Sequence, residues 1–172
     1  MRKNLYWQVR VLVIGGAALL SACASYRGSG LQPGVATLPE VVVLMGEPAM
    51  RWKDGNGREQ LAYPRGPSGT QSFMAFIGTD GRLERIEQVL DMDHFARIEP
   101  GKSDKEAVLR ILGPSFLPPL YFRARNELAW EWRFRSSLNQ RMFFGVLFDG
   151  TTGVVRTTFQ REETVGGDNN RM

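Results

Sequence analysis

The chain repeats part of itself at a spacing of 67 residues. The stretch LQPGVATLPEVVVLMGEP, residues 31–48, returns as IEPGKSDKEAVLRILGPS, residues 98–115, without a gap. A chance match is the alternative, and the length of the ungapped match argues against it. An internal repeat of about 65 residues predicts two copies of one structural unit, residues 31–91 and 98–162.

The repeat continues beyond these two stretches. Tyr63 aligns with Trp130 at the same spacing of 67, whereas Phe76 aligns with Phe148 at a spacing of 72. We therefore predict that the second copy gains five residues in a loop between these positions.

Each copy begins with a predicted helix. In the first copy residues 37–40 form a capping box, and Gly46 ends the helix. In the second copy residues 103–106, beginning with Ser103, open the helix, and the Gly113-Pro114 pair ends it. Helices this short are marginally stable alone, so they must pack on something.

Antiparallel strands follow each predicted helix. Residues 127–135 alternate apolar and polar side chains, which indicates one buried and one wet face. The predicted fold class is α+β, with two tandem two-layer units, each a short helix (or helix pair) packed on an antiparallel β-meander of three to four strands. The strand segments are AMRWK, EQLAYP, QSFMAFIG and RLERIEQVL in the first copy and PLYFRAR, ELAWEWRF, QRMFFGVLF and VVRTTFQR in the second.

The central strand of each predicted meander is apolar on both faces. These strands lie at residues 73–77 and 142–148. One face must meet the helix, and the other needs a cover, because large apolar faces are seldom left in water. Two alternatives stay open: the other copy covers this face, or a bound partner does.

The N-terminus has the order of a secretory signal peptide. Arg2, Lys3 and Arg10 lie in the first ten residues, which contain no acidic residue, and an apolar run at residues 11–20 follows. A run of about ten apolar residues is too short to cross a bilayer as a helix. Cys23, the only cysteine of the chain, comes directly after this segment.

The residues Leu20-Ser21-Ala22-Cys23 resemble the lipobox of bacterial lipoproteins. The resemblance implies a signal peptide of residues 1–22, palmitate and other acyl chains on Cys23, and a lipidated tether of residues 23–32. In lipoproteins an Asp after the cysteine retains the protein in the inner membrane. Ala24 stands there, which implies an outer-membrane location with the body in the periplasm.

The net charge of the mature chain excludes one class of partner. The full chain has 22 basic and 18 acidic side chains, and three of the basic ones lie before Cys23. The rest of the chain is nearly neutral, so charge does not draw it to nucleic acid.

The two copies share a motif of glycines around the helix and aromatic residues in the strands. Its residues are Gly34, Gly46, Pro48, Phe76, Asp80, Gly81 and Leu83 in copy one and Gly101, Leu112, Gly113, Pro114, Trp130, Trp132 and Phe148 in copy two. This motif resembles the SmpA/OmlA lipoprotein domain, the fold of the BamE-type lipoprotein of the outer-membrane β-barrel assembly machinery. The resemblance implies a protein-binding accessory module in β-barrel assembly or envelope integrity, with that machinery or another envelope protein as partner. Two departures are a second domain and Tyr63-Pro64 where the family has an aromatic pair.

Two other functions stay open. The tandem unit is also similar to secreted β-lactamase-inhibitor proteins, and an envelope hydrolase is a further alternative. The chain has no nucleotide-binding glycine loop, no His-x-x-x-His pair and no Gly-x-Ser-x-Gly elbow. We therefore predict a protein that is not an enzyme and has no cofactor, metal or small-molecule substrate. Asp91, Asp93 and His94 could form half of a metal site, but a strand end and a turn cap are the favoured interpretation.

The second copy combines aromatic residues with an excess of arginine, the side chains common at interface hot spots. A competing interpretation puts both tryptophans in the core, since they share a strand face with Leu128 and Phe134. Residues 163–172 are predicted to be a disordered tail. The predicted partner-binding residues are Tyr121, Arg123, Arg125, Trp130, Trp132, Arg133 and Arg135.

Overall fold

The structure is a computed structural model that describes residues 27–66 and 68–163. The predicted signal peptide, the predicted lipid-attachment residue Cys23 and residues 164–172 of the predicted tail lie outside the described residues. Glu163, the first residue of that tail, is described and pairs with Arg133.

The described chain is α+β, with short helices and two antiparallel four-stranded sheets, and this confirms the predicted class. Strands β1 to β4 form sheet 1 and strands β5 to β8 form sheet 2, each in chain order. The elements are α1 (Leu38–Met45), β1 (Met50–Lys53), β2 (Glu59–Pro64), β3 (Ser72–Ile77), β4 (Leu83–Gln88), α2 (Met92–Phe95), α3 (Lys105–Leu112), β5 (Leu120–Phe122), a 3-10 turn (Arg123–Arg125), β6 (Glu127–Arg135), β7 (Arg141–Asp149) and β8 (Val155–Glu162).

The two longer helices begin at side-chain caps. The Thr37 N–H donates to the Glu40 carboxylate at 2.7 Å, which is the bond from the cap residue in the predicted capping box, and the Thr37 hydroxyl donates to the same carboxylate at 2.8 Å. Helix α3 is capped by Asp104, which accepts from the Ala107 N–H at 2.8 Å, and the prediction of Ser103 was wrong by one residue. A carboxylate at this position also interacts favourably with the helix dipole.

Both helices end at a glycine with the same backbone conformation. Gly46 has φ 86° and ψ −175°, and Gly113 has φ 74° and ψ 178°. Residues other than glycine rarely adopt this backbone conformation. The surroundings differ, because a Cβ atom on Gly113 would lie 3.1 Å from Ser72 Oγ, whereas one on Gly46 would have nothing within 4 Å.

Gly113→Ala is expected to destabilise the protein more than Gly46→Ala. Both changes force alanine into a positive φ, and Gly113→Ala also pushes a methyl group into sheet 1, at an additional cost of about 1 kcal/mol. Urea unfolding of the two variants measures the difference. Equal losses would contradict the close approach of α3 to Ser72.

Two backbone contacts between the segment before the helix and the last strand also recur in both halves. In each half an amide before the helix donates to a carbonyl at the start of the last strand. They are Gly34 N–H to Leu83 C=O and Gly101 N–H to Val155 C=O, both 2.8 Å long. Each half also has an isolated bridge between the helix cap and the residue just before that strand, Thr37 with Arg82 and Asp104 with Val154.

Buried apolar side chains form one cluster in each half. The first combines α1 with sheet 1, and the second combines α2, α3 and sheet 2. The first contains Ala36, Val41, Met45, Leu61, Tyr63, Phe73, Ala75, Ile77 and Leu83. The second contains Leu90, Phe95, Ile98, Val108, Leu112, Trp132, Phe134, Phe144, Val146, Phe148 and Val155.

The second face of sheet 1 is covered by α3. Trp52, Ala62 and Met74 on that face are buried with Val89, and Leu109 of α3 packs against them. Arg110 of α3 adds polar contacts, because its guanidinium pairs with Asp54 at 3.0 Å and its carbonyl accepts from Gln60 at 2.5 Å. The apolar second face of β3 is therefore buried between the two halves of the chain.

The second face of sheet 2 is covered by its own side chains. Phe143 lies under the guanidinium groups of Arg133 and Arg161, at 5.2 and 4.0 Å from its ring centre. The ring of Phe159 occupies the space where a Cβ on Gly145 would be. This face is a charged surface over aromatic rings, unlike the apolar second face of sheet 1.

The alignment of Phe76 with Phe148 was wrong by one residue. Phe148 lies in the core opposite Val155, whereas Phe76 faces α3 and Ile77 lies in the core opposite Leu83. Both ladders have the same irregularity at this point, so it does not cause the difference. The turn that follows is one residue longer in the second half, because Ile77 and Leu83 are six positions apart and Phe148 and Val155 are seven.

Two predicted segments differ in detail. The predicted strand of residues 119–125 is a strand only at Leu120–Phe122, because Arg123–Arg125 form a 3-10 turn that ends at Asn126 with φ 48°. The link between the halves contains α2, whose Phe95 stacks on Phe144 with ring centres 3.8 Å apart. The linker is thus part of the second core.

Candidate protein-binding surface

The structure places the two tryptophans of β6 on the core side of sheet 2. Trp132 is 3% exposed, and its indole N–H donates to the Gly113 carbonyl at 3.1 Å. Trp130 is half-buried and packs edge-on against Trp132 and Phe148. Trp132 cannot contact a partner while the domain is folded, so we leave it out of the candidate surface.

The two arginines of β6 lie on the opposite face. Arg133 donates to Glu163 at 2.8 Å and lies beside Phe143. Arg135 lies at the end of the strand and donates to the carbonyl and the side chain of Asn139, both at 3.0 Å. Both guanidinium groups are therefore engaged in contacts of this face.

A third group of predicted residues lies at the edge of sheet 2. Strand β5 is the terminal strand of that sheet, so its outer edge has no strand partner among the described residues. All three of its residues are exposed, with Tyr121 at 54%. Phe116, before the strand, is also half exposed. Four of the large exposed apolar side chains thus lie within seven residues of chain.

Local chemistry keeps β5 short and separate. Pro118 and Pro119 precede it and have no N–H to offer a sheet, and a 3-10 turn follows it. The Tyr121 hydroxyl donates to the Asn126 side chain at 2.6 Å, and Asn126 donates to Thr151 at 2.8 Å. These bonds hold the turn and position the exposed strand.

The charged residues of the segment that contains β5 are all basic. Residues 114–126 contain two arginines and no acidic residue. Arg125 pairs with Glu127 at 2.7 Å and lies 5.0 Å from the ring centre of Phe122. No carboxylate of the described residues pairs with Arg123. We call Phe116, Leu120, Tyr121, Phe122 and Arg123 the β5 edge.

Tyr121 and Arg123 of the β5 edge were among the predicted binding residues, and Phe122 lies in the same predicted strand segment, PLYFRAR. Phe116 and Leu120 were missed. The signal that could have found them is the Pro118-Pro119 pair, which prevents the flanking apolar residues from entering a buried strand.

A carboxylate cluster lies beside this edge. Asp149 accepts hydrogen bonds from the N–H groups of Thr152 and Thr151, at 2.7 and 2.9 Å, and pairs with Arg156 at 2.5 Å. The amide of Thr152, the Arg156 guanidinium and the amide of Thr151 hold the pKa of Asp149 far below its usual value. Arg156 also pairs with Glu127 at 3.3 Å, which links the cluster to β6.

Asp149→Asn is expected to lower the free energy of unfolding at pH 7, and the loss should shrink as the pH falls below about 4, the pKa of a free aspartate. A lowered pKa in the folded state stabilises the fold above the unfolded pKa, and this stabilisation is lost as the carboxylate is protonated. Urea unfolding between pH 7 and pH 2 measures it, with the exposed Asp93→Asn as control. A loss that is independent of pH would contradict the prediction.

His94 is buried at the junction between the halves. Its Nδ1 lies 2.7 Å from Asp91 and its Nε2 lies 3.4 Å from Glu87, while the Asp91 carboxylate caps α2 through the His94 N–H. Burial acts to raise the pKa of Asp91, but the hydrogen bonds from His94 outweigh it and hold that pKa below its usual value. Asp91 therefore acts as the helix cap that the sequence favoured.

Within residues 27–66 and 68–163, no group of three or more His, Cys, Asp or Glu side chains is arranged to hold a metal ion. In the same part of the chain, no helix has the length and apolar character needed to cross a membrane. Comparison with known protein families, curated proteins and solved structures finds no match to this chain.

Proposed function

We propose that the chain is an outer-membrane-anchored periplasmic lipoprotein that acts as a protein-binding accessory module. The lipobox at Cys23 supports the anchor. In both halves the helix ends at a glycine of the same conformation, the helix cap forms a bridge to the residue just before the last strand, and an amide before the helix donates to that strand. These shared features support a duplicated unit of a helix packed on a meander, similar to the SmpA/OmlA domain.

The observation that carries the binding function is the exposed β5 edge. A terminal strand with a free outer edge can accept another strand, and its main-chain groups supply affinity while side-chain pockets supply specificity. Leu120, Tyr121 and Phe122 offer apolar area directly beside that edge. Isolated exposed apolar residues are ordinary, whereas four within seven residues concentrate apolar surface along one edge strand, with Tyr121 on one face of the sheet and Leu120 and Phe122 on the other.

The charge of this segment selects the kind of partner. Arg123, which pairs with no carboxylate of the described residues, favours an acidic segment, whereas Arg125 is already paired with Glu127. The occupant we propose is an extended acidic segment of an envelope protein, added to sheet 2 along β5. The resemblance to the BamE-type lipoprotein makes the β-barrel assembly machinery the first partner to test.

A photo-crosslinking amino acid at Tyr121 is expected to form a protein adduct in intact cells. The same amino acid at Leu138, which is 78% exposed in the β6–β7 turn, is the matched control. Adding Arg123→Glu to the Tyr121 probe should reduce the adduct several-fold, because it reverses the charge that faces the partner. Raised salt should reduce the adduct of the solubilised protein in the same way.

Three outcomes would contradict the proposal. One is equal adducts at positions 121 and 138, which would indicate random collision. The second is an adduct that neither Arg123→Glu nor salt reduces, since the partner would then not be acidic. The third is the absence of any adduct at position 121 in cells that contain the folded lipoprotein.

A further inference from the structure

Helix α1 has apolar side chains on more faces than the one that packs in the first core cluster. Its sequence is LPEVVVLM, and only Val41 and Met45 are buried in the core cluster. Val43 is 86% exposed, and Val35 just before the helix is 59% exposed. A helix that is apolar nearly all round is typical of a helix covered on more than one side.

The corresponding face of α3 has a cover. Val43 aligns with Arg110 at the spacing of 67, and Val42 aligns with Leu109. Leu109 packs on the second face of sheet 1, and Arg110 pairs with Asp54 on the same side. The exposure of Val43 means that α1 has no such cover among the described residues.

An open groove adjoins the uncovered face. It has a volume of about 340 Å³. Its lining residues come from the start of the described chain and from α1, and the apolar ones are Leu31, Val35, Ala36, Val43 and Leu44.

The groove lies next to the point where the chain leaves toward Cys23. Gly28 is buried, and a Cβ placed on it would collide with Ile86, so the chain is in close contact with the fold at this residue. The Leu31 N–H donates to the Gly28 carbonyl at 2.9 Å, and Leu31 itself lines the groove. The chain from Gly28 back to Cys23 can span at most about 17 Å when fully extended. A lipid on Cys23 would therefore hold the groove close to the membrane surface.

We infer that the groove beside α1 docks on the phospholipid surface to which Cys23 is anchored; this rests on the proposed lipid anchor. Val35 and Val43 enter the boundary between headgroups and acyl chains, as the apolar face of an interfacial helix does. Arg82 lies at the rim, where it donates to the Val35 carbonyl at 2.6 Å, and it can pair with lipid phosphate. The acidic residue of the groove, Glu40, is already engaged by Thr37.

A second copy of the chain fits the groove less well. The free sheet face that such a copy would offer is the second face of sheet 2. That face carries ion pairs such as Arg161 with Glu131 at 2.7 Å, instead of the apolar surface that sheet 1 offers to α3. Burying those pairs against valines would cost their hydration.

The test uses a fluorescent label that responds to lipid. The full chain is produced in its lipidated form and reconstituted in phosphatidylethanolamine–phosphatidylglycerol vesicles that contain a lipid-borne quencher. Because Cys23 is the only cysteine and its sulfur would be in the thioether, Val43→Cys gives a single free thiol for labelling. Leu138→Cys, at a site with 78% exposure, is the matched control.

The label at position 43 is expected to be quenched several-fold more than the label at position 138. Adding Val35→Glu to the Val43→Cys protein should reduce that quenching and leave the circular dichroism unchanged. If the vesicles carry the protein and both labels are quenched equally, the docking inference is wrong and the anchor stands. If the protein does not float with the vesicles, the anchor is wrong, and the inference falls with it.

Discussion

Trp132→Ala is expected to lower the free energy of unfolding by about 3–5 kcal/mol. The side chain is 3% exposed and lies in the second core cluster, so its removal leaves a cavity that the surrounding strands can fill only in part. The indole N–H also donates to the Gly113 carbonyl, one of the groups at the end of α3 that has no helical partner. Losing this bond leaves a buried acceptor unsatisfied, which adds to the loss.

Two companion variants separate packing from the other contributions. Trp132→Phe keeps one aromatic ring and removes the N–H donor together with the second ring, so it should cost clearly less than Trp132→Ala. Tyr121→Ala, at a residue that is 54% exposed, should change the free energy of unfolding by only about 0.5 kcal/mol. Urea unfolding followed by circular dichroism measures all three. If Trp132→Ala were as mild as Tyr121→Ala, Trp132 would not be a core residue.

The face of each strand in sheet 2 could be predicted from its sequence. Trp132 and Phe134 share parity with Leu128, and all three pack in the second core cluster. A period of two determines which face a side chain takes. It does not determine how far one strand slides along another in steps of two, and a bulge changes the count by one. Phe76 was placed against Phe148 because the turn after β7 is one residue longer than the turn after β3, so the spacing of 72 that holds at Leu83 and Val155 does not hold for the strands before the turns.

The elements that the sequence did not predict depend on distant contacts. Nothing local to β3 indicates that α3 covers its second face, because Met74 and Leu109 are 35 positions apart and their contact needs the two halves to be docked. The helix α2 is a single turn with one capping aspartate, too short for a periodic pattern. The free β5 edge likewise depends on sheet order, and only the two prolines before it give a local indication.

Cys23→Ser is expected to abolish attachment to the outer membrane. Only a cysteine sulfur can form the thioether to the diacylglyceryl group that the lipobox resemblance implies, and serine leaves the chain unmodified and its signal peptide uncleaved. Several acyl chains hold a protein on a bilayer stably, whereas one chain holds it only marginally, so loss of all of them should leave an unprocessed or soluble form that is absent from the outer membrane. Membrane fractionation and labelling with radioactive palmitate measure attachment and acylation separately.

Ala24→Asp is the matched variant for the location. It keeps Cys23 and its acylation and adds the residue that retains lipoproteins in the inner membrane, so the protein should stay labelled with palmitate and move to the inner-membrane fraction. A Cys23→Ser protein that still incorporates palmitate and sediments with outer membranes would disprove the anchor. A wild-type protein without palmitate would do so as well, and the position of the α1 groove would then have to be explained without a membrane.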